Sequence, residues 1–527
     1  MLHASNGTWH RKYLTAMLPF RGDVLGAHWG GEAMLSPLSS LWPNASTLER
    51  EREVKRIMKA AHSVGAFNRG WVRIALRSIG LCVLAARCYA AGGVECNIGA
   101  YLLSDGSIVD IAPSDDDALR WRRLDGTTGA LHKTVTGMWT STSGWTDRGD
   151  GESVSFSECD KRSIEFDGVR GERIDFNVRE TMFHSRGTAL AGRLVMPLGR
   201  SKVPVVVLVH GSEQDSALET FFLQRLLPAY GVGAFVYDKR GTGHSAGTYS
   251  QDFNLLADDA VAAMREARRL AGSRLTRIGY QGGSQGGWVA PIAANRARVD
   301  FVIVCYGLAV SVIDEDQQEV EIEMREKGYS PAEITQALEV ARAAEAVVAS
   351  HFTKGFAELD AMRAKYRSAP WYKDLHGNYT YMLLPYSETQ LRELGSTKLS
   401  FTRSTPFHYD PMPTLRADMV PQLWVLGGED YEAPSAETSG RIKSLIESGL
   451  PFTLACYPHA EHGMTLFEIQ ADGTRVSTRY APGYFAMIRD FARFGQLPGT
   501  YGDAEISRSR LRSVPAVGTS SHRGGNY

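Results

Sequence analysis

Six unbroken apolar runs govern what this chain can fold into: VPVVVLVH (203–210), GAFVYD (233–238), LTRIGYQG (275–282), DFVIVCYG (300–307), PQLWVLGG (421–428) and FTLACYPH (452–459). A strand with one wet face alternates apolar and polar residues, whereas a strand buried on both faces is apolar throughout. Amphipathic stretches such as NLLADDAVAAMREARRLAG (254–272) lie between the runs. This alternation predicts an α/β architecture, a mostly parallel twisted sheet with helices on both faces. One interval is longer, with about 110 residues between Gly307 and Pro421. A structureless loop of that length is uncommon in a compact domain. Within it, Ser330-Pro331-Ala332-Glu333 is a capping box with proline at the first helical position, followed by Ile334, Leu338 and Ala341 at helical spacing. Residues 307–414 are therefore read as a helical cap insertion that divides the sheet domain into 186–306 and 415–500. Its aromatic residues Trp371, Tyr372, Tyr379 and Tyr381 are expected as cap core, with the lining of an apolar pocket as the alternative.

Residues 94–185 carry short strand-like pieces (YLLSDGSIVDIAP, KRSIEFDG, GERIDFNV) bounded by Gly, Asp and Pro, which predicts a small β-rich N-terminal region. Before it, residues 69–93 join Arg69, Arg73 and Arg77 to a short apolar run, Ile79–Ala86, and a small-residue end, Ala90–Gly93. That is the layout of a secretory signal, too short to span a bilayer; a buried helix is the alternative. A signal belongs at an N-terminus, so the expected start lies downstream of Met1, at Met58, and residues 1–93 are read as an extension plus signal. The protein is expected to be exported if this segment acts as a signal, and cytoplasmic otherwise. Export would permit Cys96 and Cys159 to pair, whereas Cys305 and Cys456, inside apolar runs, read as buried free thiols. Residues 501–527 are polar, small and basic, and are expected to be disordered. Lys and Arg number 58 against 59 Asp and Glu, a formal net charge of -1, so no global charge recruits nucleic acid or an anionic membrane.

The chemistry concentrates at YQGGSQGGWVAP (280–291), where Gly282-Gly283-Ser284-Gln285-Gly286 satisfies G-x-S-x-G. A sharp strand-to-helix turn forces its serine into a strained backbone, and the flanking glycines permit the close approach. The required context is present, with a buried run before the motif and a helical stretch after it. A phosphate-binding loop would need a lysine after the glycines, or a place after the first strand of a βαβ unit, and this stretch has neither. Pro291 falls in the second turn of the expected helix, where it removes a backbone donor.

A serine hydroxyl needs a base to become a nucleophile. Downstream, WVLGGEDYEAP offers Glu429, Asp430 and Glu432, and YPHAEHGM offers His459 and His462. Both segments follow strand ends, where open α/β sheets bind ligands. A metal pair at His459 and His462 finds no third ligand nearby, and neither a metal nor an organic cofactor is expected. An oxyanion hole needs two backbone donors; the amide of Gln285 and that of Ser212, in LVHGSEQD, are the candidates. His210 is read as a brace of that loop.

Four blocks, LVHGS, YDKRGTGHS (237–245), GGSQGG and LGGEDYEAP with YPHAEHG, resemble the α/β-hydrolase superfamily in order, particularly its serine esterases and its S33- or S9-like peptidases. The resemblance covers roughly 189–495 and implies the α/β-hydrolase fold. The family's acid block maps onto Gly427, Asp430 and Pro434, and its closing H-G onto His462-Gly463, which favours Asp430 and His462 over their neighbours. The Asp238, Arg240, Gly241, Gly243 and Ser245 turn is structural in such enzymes. The chain departs from its relatives at Glu213, where another glycine is frequent. The expected function is a serine hydrolase of carboxylic esters, using Ser284, His462 and Asp430 on a small-molecule ester or short peptide. A peptidase or amidase with the same triad, and a non-catalytic binding protein, are the alternatives.

Overall fold

Eight short strands close on one another before the first buried run is reached. The computed structural model describes residues 94–509, save 115–117, 160 and 398. Strands β1 (Gly99–Leu103), β2 (Ile108–Pro113), β3 (Leu119–Arg122), β4 (Thr128–Lys133), β5 (Trp139–Ser143), β6 (Gly149–Phe156), β7 (Ser163–Phe166) and β8 (Val169–Arg173) form a closed barrel. Each is antiparallel to the next, and β8 returns to β1 with Tyr101 opposite Arg173. Closure leaves no unpaired edge. The interior is packed with side chains, among them Val109, Ile111, Leu131 and Val154, with Trp121 edge-on to Phe166 at 5.2 Å. Residues 1–93, including the signal-like segment 69–93, lie outside the described residues. Cys96 and Cys159 are both disulfide-bonded; Cys305 and Cys456 are free, the first buried and the second half-buried.

The second sheet has nine strands in the order β19-β16-β15-β14-β13-β11-β12-β10-β9. The apolar runs supply its parallel centre: β11 (Val203–Val209), β12 (Gly233–Tyr237), β13 (Leu275–Gly283), β14 (Phe301–Cys305), β15 (Gln422–Gly427) and β16 (Phe452–Tyr457). On one face Val206, Leu208, Ile303, Leu423 and Val425 pack with Leu226 of helix Leu223–Ala229 and with Phe485, Ile488 and Phe491 of helix Tyr484–Phe494. Helices Phe253–Ala271 and Gly286–Arg296 also lie against the sheet, joined by the stacked rings of Phe253 and Trp288 at 4.9 Å.

Two expected boundaries move. The β-rich region was expected to run to residue 185, but the barrel ends at Arg173 and β9 (Phe176–Ser185) belongs to the large sheet. It pairs along its whole length with β10 (Thr188–Pro197). The cause is local: Arg186 and Gly187 both have positive φ, 48° and 79°, the two-residue turn that joins twisted antiparallel strands tightly. The expected disordered tail, 501–527, also begins too early. Tyr501 is buried with its hydroxyl bonded to Asp490 at 3.0 Å, and β19 (Glu505–Arg508) pairs antiparallel with β16. Residues 510–527 lie outside the described residues.

Between β14 and β15 the chain forms helices Val312–Glu326, Pro331–Ala349, Phe356–Tyr366, Asn378–Leu383, Glu388–Ser396 and Met412–Ala417. Capping boxes start three of them, at Ser311 with Asp314, Ser330 with Glu333 and Ser387 with Gln390. Trp371 is fully enclosed with Val320, Met324, Ala337 and Tyr366, and Tyr372 packs against that cluster. Those two aromatics are core of the insertion, whereas Tyr381 is exposed.

A hairpin, β17 (Thr465–Ile469) with β18 (Arg475–Tyr480), follows β16 and is gripped by the barrel. The Tyr480 N–H donates to Gly126 O and the Trp145 N–H to Ser477 O, each at 2.9 Å. The approach is close enough that a Cβ on Gly144 would lie 2.2 Å from Thr478 O. The fully buried Asp110 of β2 pairs with Arg225 of helix Leu223–Ala229 at 2.8 Å. Among the described residues, no helix is long and apolar enough to cross a membrane.

Candidate active site

Every sequence-predicted site residue lies just past the carboxyl end of an interior parallel strand: Ser212 after β11, Ser284 and Gln285 after β13, Asp430 after β15 and His462 after β16. Ser284 has φ of 50° between the last residue of β13 and the helix that starts at Gly286. That is the left-handed region, uncommon for a residue with a Cβ. The strain is held by packing. A Cβ on Gly282 would lie 2.2 Å from Gly286 O, and one on Gly286 would lie 2.3 Å from Val209 O. The Ser284 N–H donates to Cys305 O at 3.1 Å and Ser284 O accepts from the Gly287 N–H at 2.7 Å. Pro291 sits buried inside the helix, where it leaves the Gly287 carbonyl without its usual helical donor.

The loop after β11 crosses directly over this turn, since a Cβ on Gly211 would lie 3.2 Å from Ser284 Cβ. Three side chains fix it. Glu213 Oε1 accepts from the Gly211 N–H at 3.1 Å, Lys239 Nζ donates to Gly211 O, and the Tyr249 hydroxyl donates to Ser212 O. Among the described residues, neither the Ser212 N–H nor the Gln285 N–H donates a hydrogen bond. Glu213, where the resemblance led to the expectation of a glycine, thus fixes the loop through its side chain. Burial alone would raise its pKa, but His210, with Nδ1 3.1 Å from Oε1, and Lys239 outweigh that and hold it at about 2. His210 is enclosed and edge-on to Tyr237, but neither ring nitrogen makes a hydrogen bond among the described residues, so its contact with the loop is one of packing and charge.

His462 Nδ1 lies 3.0 Å from Asp430 Oδ2 and 3.2 Å from Oδ1. Asp430 is buried and its Oδ1 also accepts from the Ala433 N–H at 2.8 Å. The other candidates part ways: His459 pairs with Glu429 at 3.0 Å on the exposed surface. Glu432 stays near, its Oε1 3.8 Å from His462 Nε2. No hydrogen bond joins Ser284 to His462 among the described residues; such bonds are often long before substrate binds. Tyr306 connects the two. Its ring is edge-on to His462 at 4.9 Å, and a Cβ on Gly283 would lie 2.6 Å from its hydroxyl. Burial alone would lower the His462 pKa, but Glu432 first, then Asp430 and Glu315, hold it up at about 10. Burial raises the Asp430 pKa from its ordinary value despite its imidazole partner.

Sequence reasoning missed Tyr306, Lys239, Tyr249 and Glu315, because nothing local marks them; each reaches the site through tertiary packing. The Asp238–Ser245 turn is structural: Asp238 accepts from Ser216 Oγ at 2.9 Å and the His244 N–H at 2.8 Å, and Arg240 pairs with the buried Asp259 at 2.6 Å.

The chain resembles the α/β-hydrolase superfamily in its parallel strand order and its strand–serine–helix turn. No protein-family profile and no curated protein sequence matches it. Among solved structures it is similar to the Pyrococcus furiosus esterase Pf2001, at 12% identity and a TM-score of 0.34 over 55% of this chain and 84% of that one. It is also similar to the Pyrococcus horikoshii acylaminoacyl peptidase, at 14% identity and a TM-score of 0.35, covering 76% of this chain and 58% of that one. Est1E from Butyrivibrio proteoclasticus, solved with ferulic acid bound, matches at 16% identity and a TM-score of 0.34 over 59% of this chain and 96% of that one.

Proposed function

We propose that the protein is a serine hydrolase of carboxylic esters. The observation that carries this reading is the pairing of His462 Nδ1 with the buried Asp430 at 3.0 Å, at the same carboxyl ends of the parallel strands as a serine held at φ 50°. In this reading Ser284 Oγ attacks the acyl carbon as His462 Nε2 takes its proton. The C–O bond of the tetrahedral intermediate breaks as Nε2 returns that proton to the leaving alcohol, and water then cleaves the acyl-enzyme by the same steps reversed. Asp430 fixes the tautomer that presents Nε2 and stabilises the imidazolium. The Ser212 and Gln285 N–H groups, which have no other acceptor among the described residues, hold the oxyanion. The helices of residues 312–417 act as a cap over the site, as the influence of Glu315 on His462 supports.

A fluorophosphonate probe should label the wild-type chain at Ser284 and leave Ser284→Ala unlabelled. Ser284→Ala should also lose turnover of short p-nitrophenyl esters by at least about a thousandfold while keeping its melting temperature. Full activity in Ser284→Ala would remove the reading. Aminoacyl anilides cleaved faster than esters would assign the same site to a peptidase.

A further inference from the structure

Two peptide units meet at Ser212, and a side chain grips the carbonyl of each. Lys239 Nζ donates to Gly211 O, and the Tyr249 hydroxyl donates to Ser212 O. The Gly211 N–H is held as well, by Glu213 Oε1 at 3.1 Å. In a trans peptide a carbonyl and the N–H that follows it point in opposite directions. With Gly211 O turned to the lysine, the Ser212 N–H is turned away from it, and among the described residues it donates to nothing. Glycine imposes little backbone preference of its own, so partners set the direction of the peptide that follows Gly211. The same carbonyl is conjugated with the Ser212 N–H, and an ammonium bonded to its oxygen polarises that N–H into a better donor.

Lys239 is buried, with Nζ 5.1 Å from the centre of the Tyr249 ring. Tyr249 is placed in turn by the insertion. Gln251 Nε2 donates to the Tyr249 hydroxyl at 3.2 Å, the Thr405 hydroxyl donates to Gln251 Oε1 at 2.5 Å, and the Gln251 N–H donates to Ser404 Oγ at 2.8 Å. Gln251 and Thr405 are both buried. The donors run one way, from Thr405 to Gln251 to Tyr249 to Ser212, the sense in which each bond strengthens the next. Phe407, two residues past Thr405, anchors this segment to the rest of the insertion: its ring is edge-on to Tyr379 at 5.3 Å, and its carbonyl accepts from the Ile313 N–H at 3.2 Å.

We propose that Lys239 and Tyr249 are positioning residues of the oxyanion hole, which aim the Ser212 N–H at the developing charge, and that the insertion sets this aim through Thr405 and Gln251; this rests on the reading of Ser284 and Ser212 above. Lys239 and Tyr249 touch no reacting atom in this account. They act through one amide, so their loss falls on the transition state and leaves ground-state binding in place.

The test uses p-nitrophenyl butyrate and propyl trifluoromethyl ketone on the full chain. Ser284 Oγ adds to the ketone carbon as its proton passes to His462, which leaves an oxyanion in the hole and no leaving group. Lys239→Met and Tyr249→Phe should each lower kcat about tenfold or more, short of the ~10²–10³ for an oxyanion donor removed outright, with KM held within about twofold. The Ki of the ketone should rise in proportion to the loss of kcat/KM, whereas a smaller folded fraction would lower kcat and leave Ki unchanged. Gln251→Leu should lower kcat about fivefold, the worth of one ordinary hydrogen bond, and should cost nothing further when combined with Tyr249→Phe. Should Lys239→Met fail to fold, Tyr249→Phe and Gln251→Leu decide the matter, since they leave the buried charges in place. An unchanged kcat or an unmoved Ki in Tyr249→Phe overturns the clamp, and additive losses in the double variant overturn the part of the insertion. Wild-type ester turnover and Ser284 labelling keep the hydrolase reading intact through either failure. Absence of both overturns the hydrolase reading, and this proposal with it.

Discussion

If the proposed reading holds, replacing Glu432 with Gln should speed turnover of an uncharged ester at neutral pH. The His462 imidazolium is favoured up to about 10, with Glu432 the leading favourable contributor against burial. Its base form is then scarce at pH 7. The acidic groups around His462 are Asp430 and Glu432 from the loop after β15 and Glu315 from helix Val312–Glu326, the last pushed by burial well above the ordinary carboxylate range, with Tyr306 beside the ring. At 3.8 Å, the Glu432 pair is worth about 1 kcal/mol with water-like screening and about 4 kcal/mol at the effective dielectric of a protein surface. The Glu432 side chain is 37% exposed, so the lower figure applies, equivalent to about one pH unit. The sign is fixed: removing a negative neighbour lowers the imidazole pKa and increases the neutral fraction below it.

The acidic limb of the kcat/KM profile should therefore move down by about one unit in Glu432→Gln, with kcat/KM at pH 7 rising about tenfold and the alkaline plateau unchanged. A pH-stat assay with methyl butyrate reads this free of a chromogenic leaving group. An acidic limb that stays in place would refute the assignment of Glu432 as the group that keeps His462 protonated. A fall in the plateau alone would show that Glu432 acts on substrate placement instead.

Three further substitutions examine the supports of the site. Gly286→Ala places a Cβ 2.3 Å from Val209 O; it should cost about 1–3 kcal/mol in urea unfolding and, on the proposed reading, lower kcat about a hundredfold by displacing the loop after β11. Arg225→Ala strands the buried Asp110 carboxylate and should destabilise the chain by about 3–5 kcal/mol, read as a lower denaturation midpoint. Glu213 is held at about 2 against an ordinary 4.5, so its stabilisation is complete above the ordinary value and lost as pH falls toward 2. Melting temperatures should accordingly decline less steeply across that range in Glu213→Gln than in the wild type, and equal slopes would contradict its bracing role.

The parallel core was legible because its six strands are buried on both faces, so composition alone marks them. Asp430 and His462 stood out for a related reason: each follows one of those strands within a few residues, where the sheet geometry leaves little choice of position. The turn at Ser284 was legible because its backbone admits glycine almost exclusively at the flanks, as the 2.2 Å and 2.3 Å approaches at Gly282 and Gly286 explain. Barrel closure was not legible, because the pairing of β1 with β8 joins segments about 70 residues apart and no local pattern encodes it. The same limit hid Tyr306 and Glu315, which the insertion and the end of β14 deliver only after long-range packing.

The barrel's bearing on chemistry follows from what it holds. His462 is followed within three residues by β17, and the hairpin that β17 begins is bonded to the barrel at Gly126 and Trp145. The barrel contributes no residue to the Ser284–His462–Asp430 set, yet it fixes the far end of the loop that carries His462. The region that reads from sequence only as small and β-rich is a support for the loop of the imidazole, because only glycine at Gly144 lets the two backbones meet.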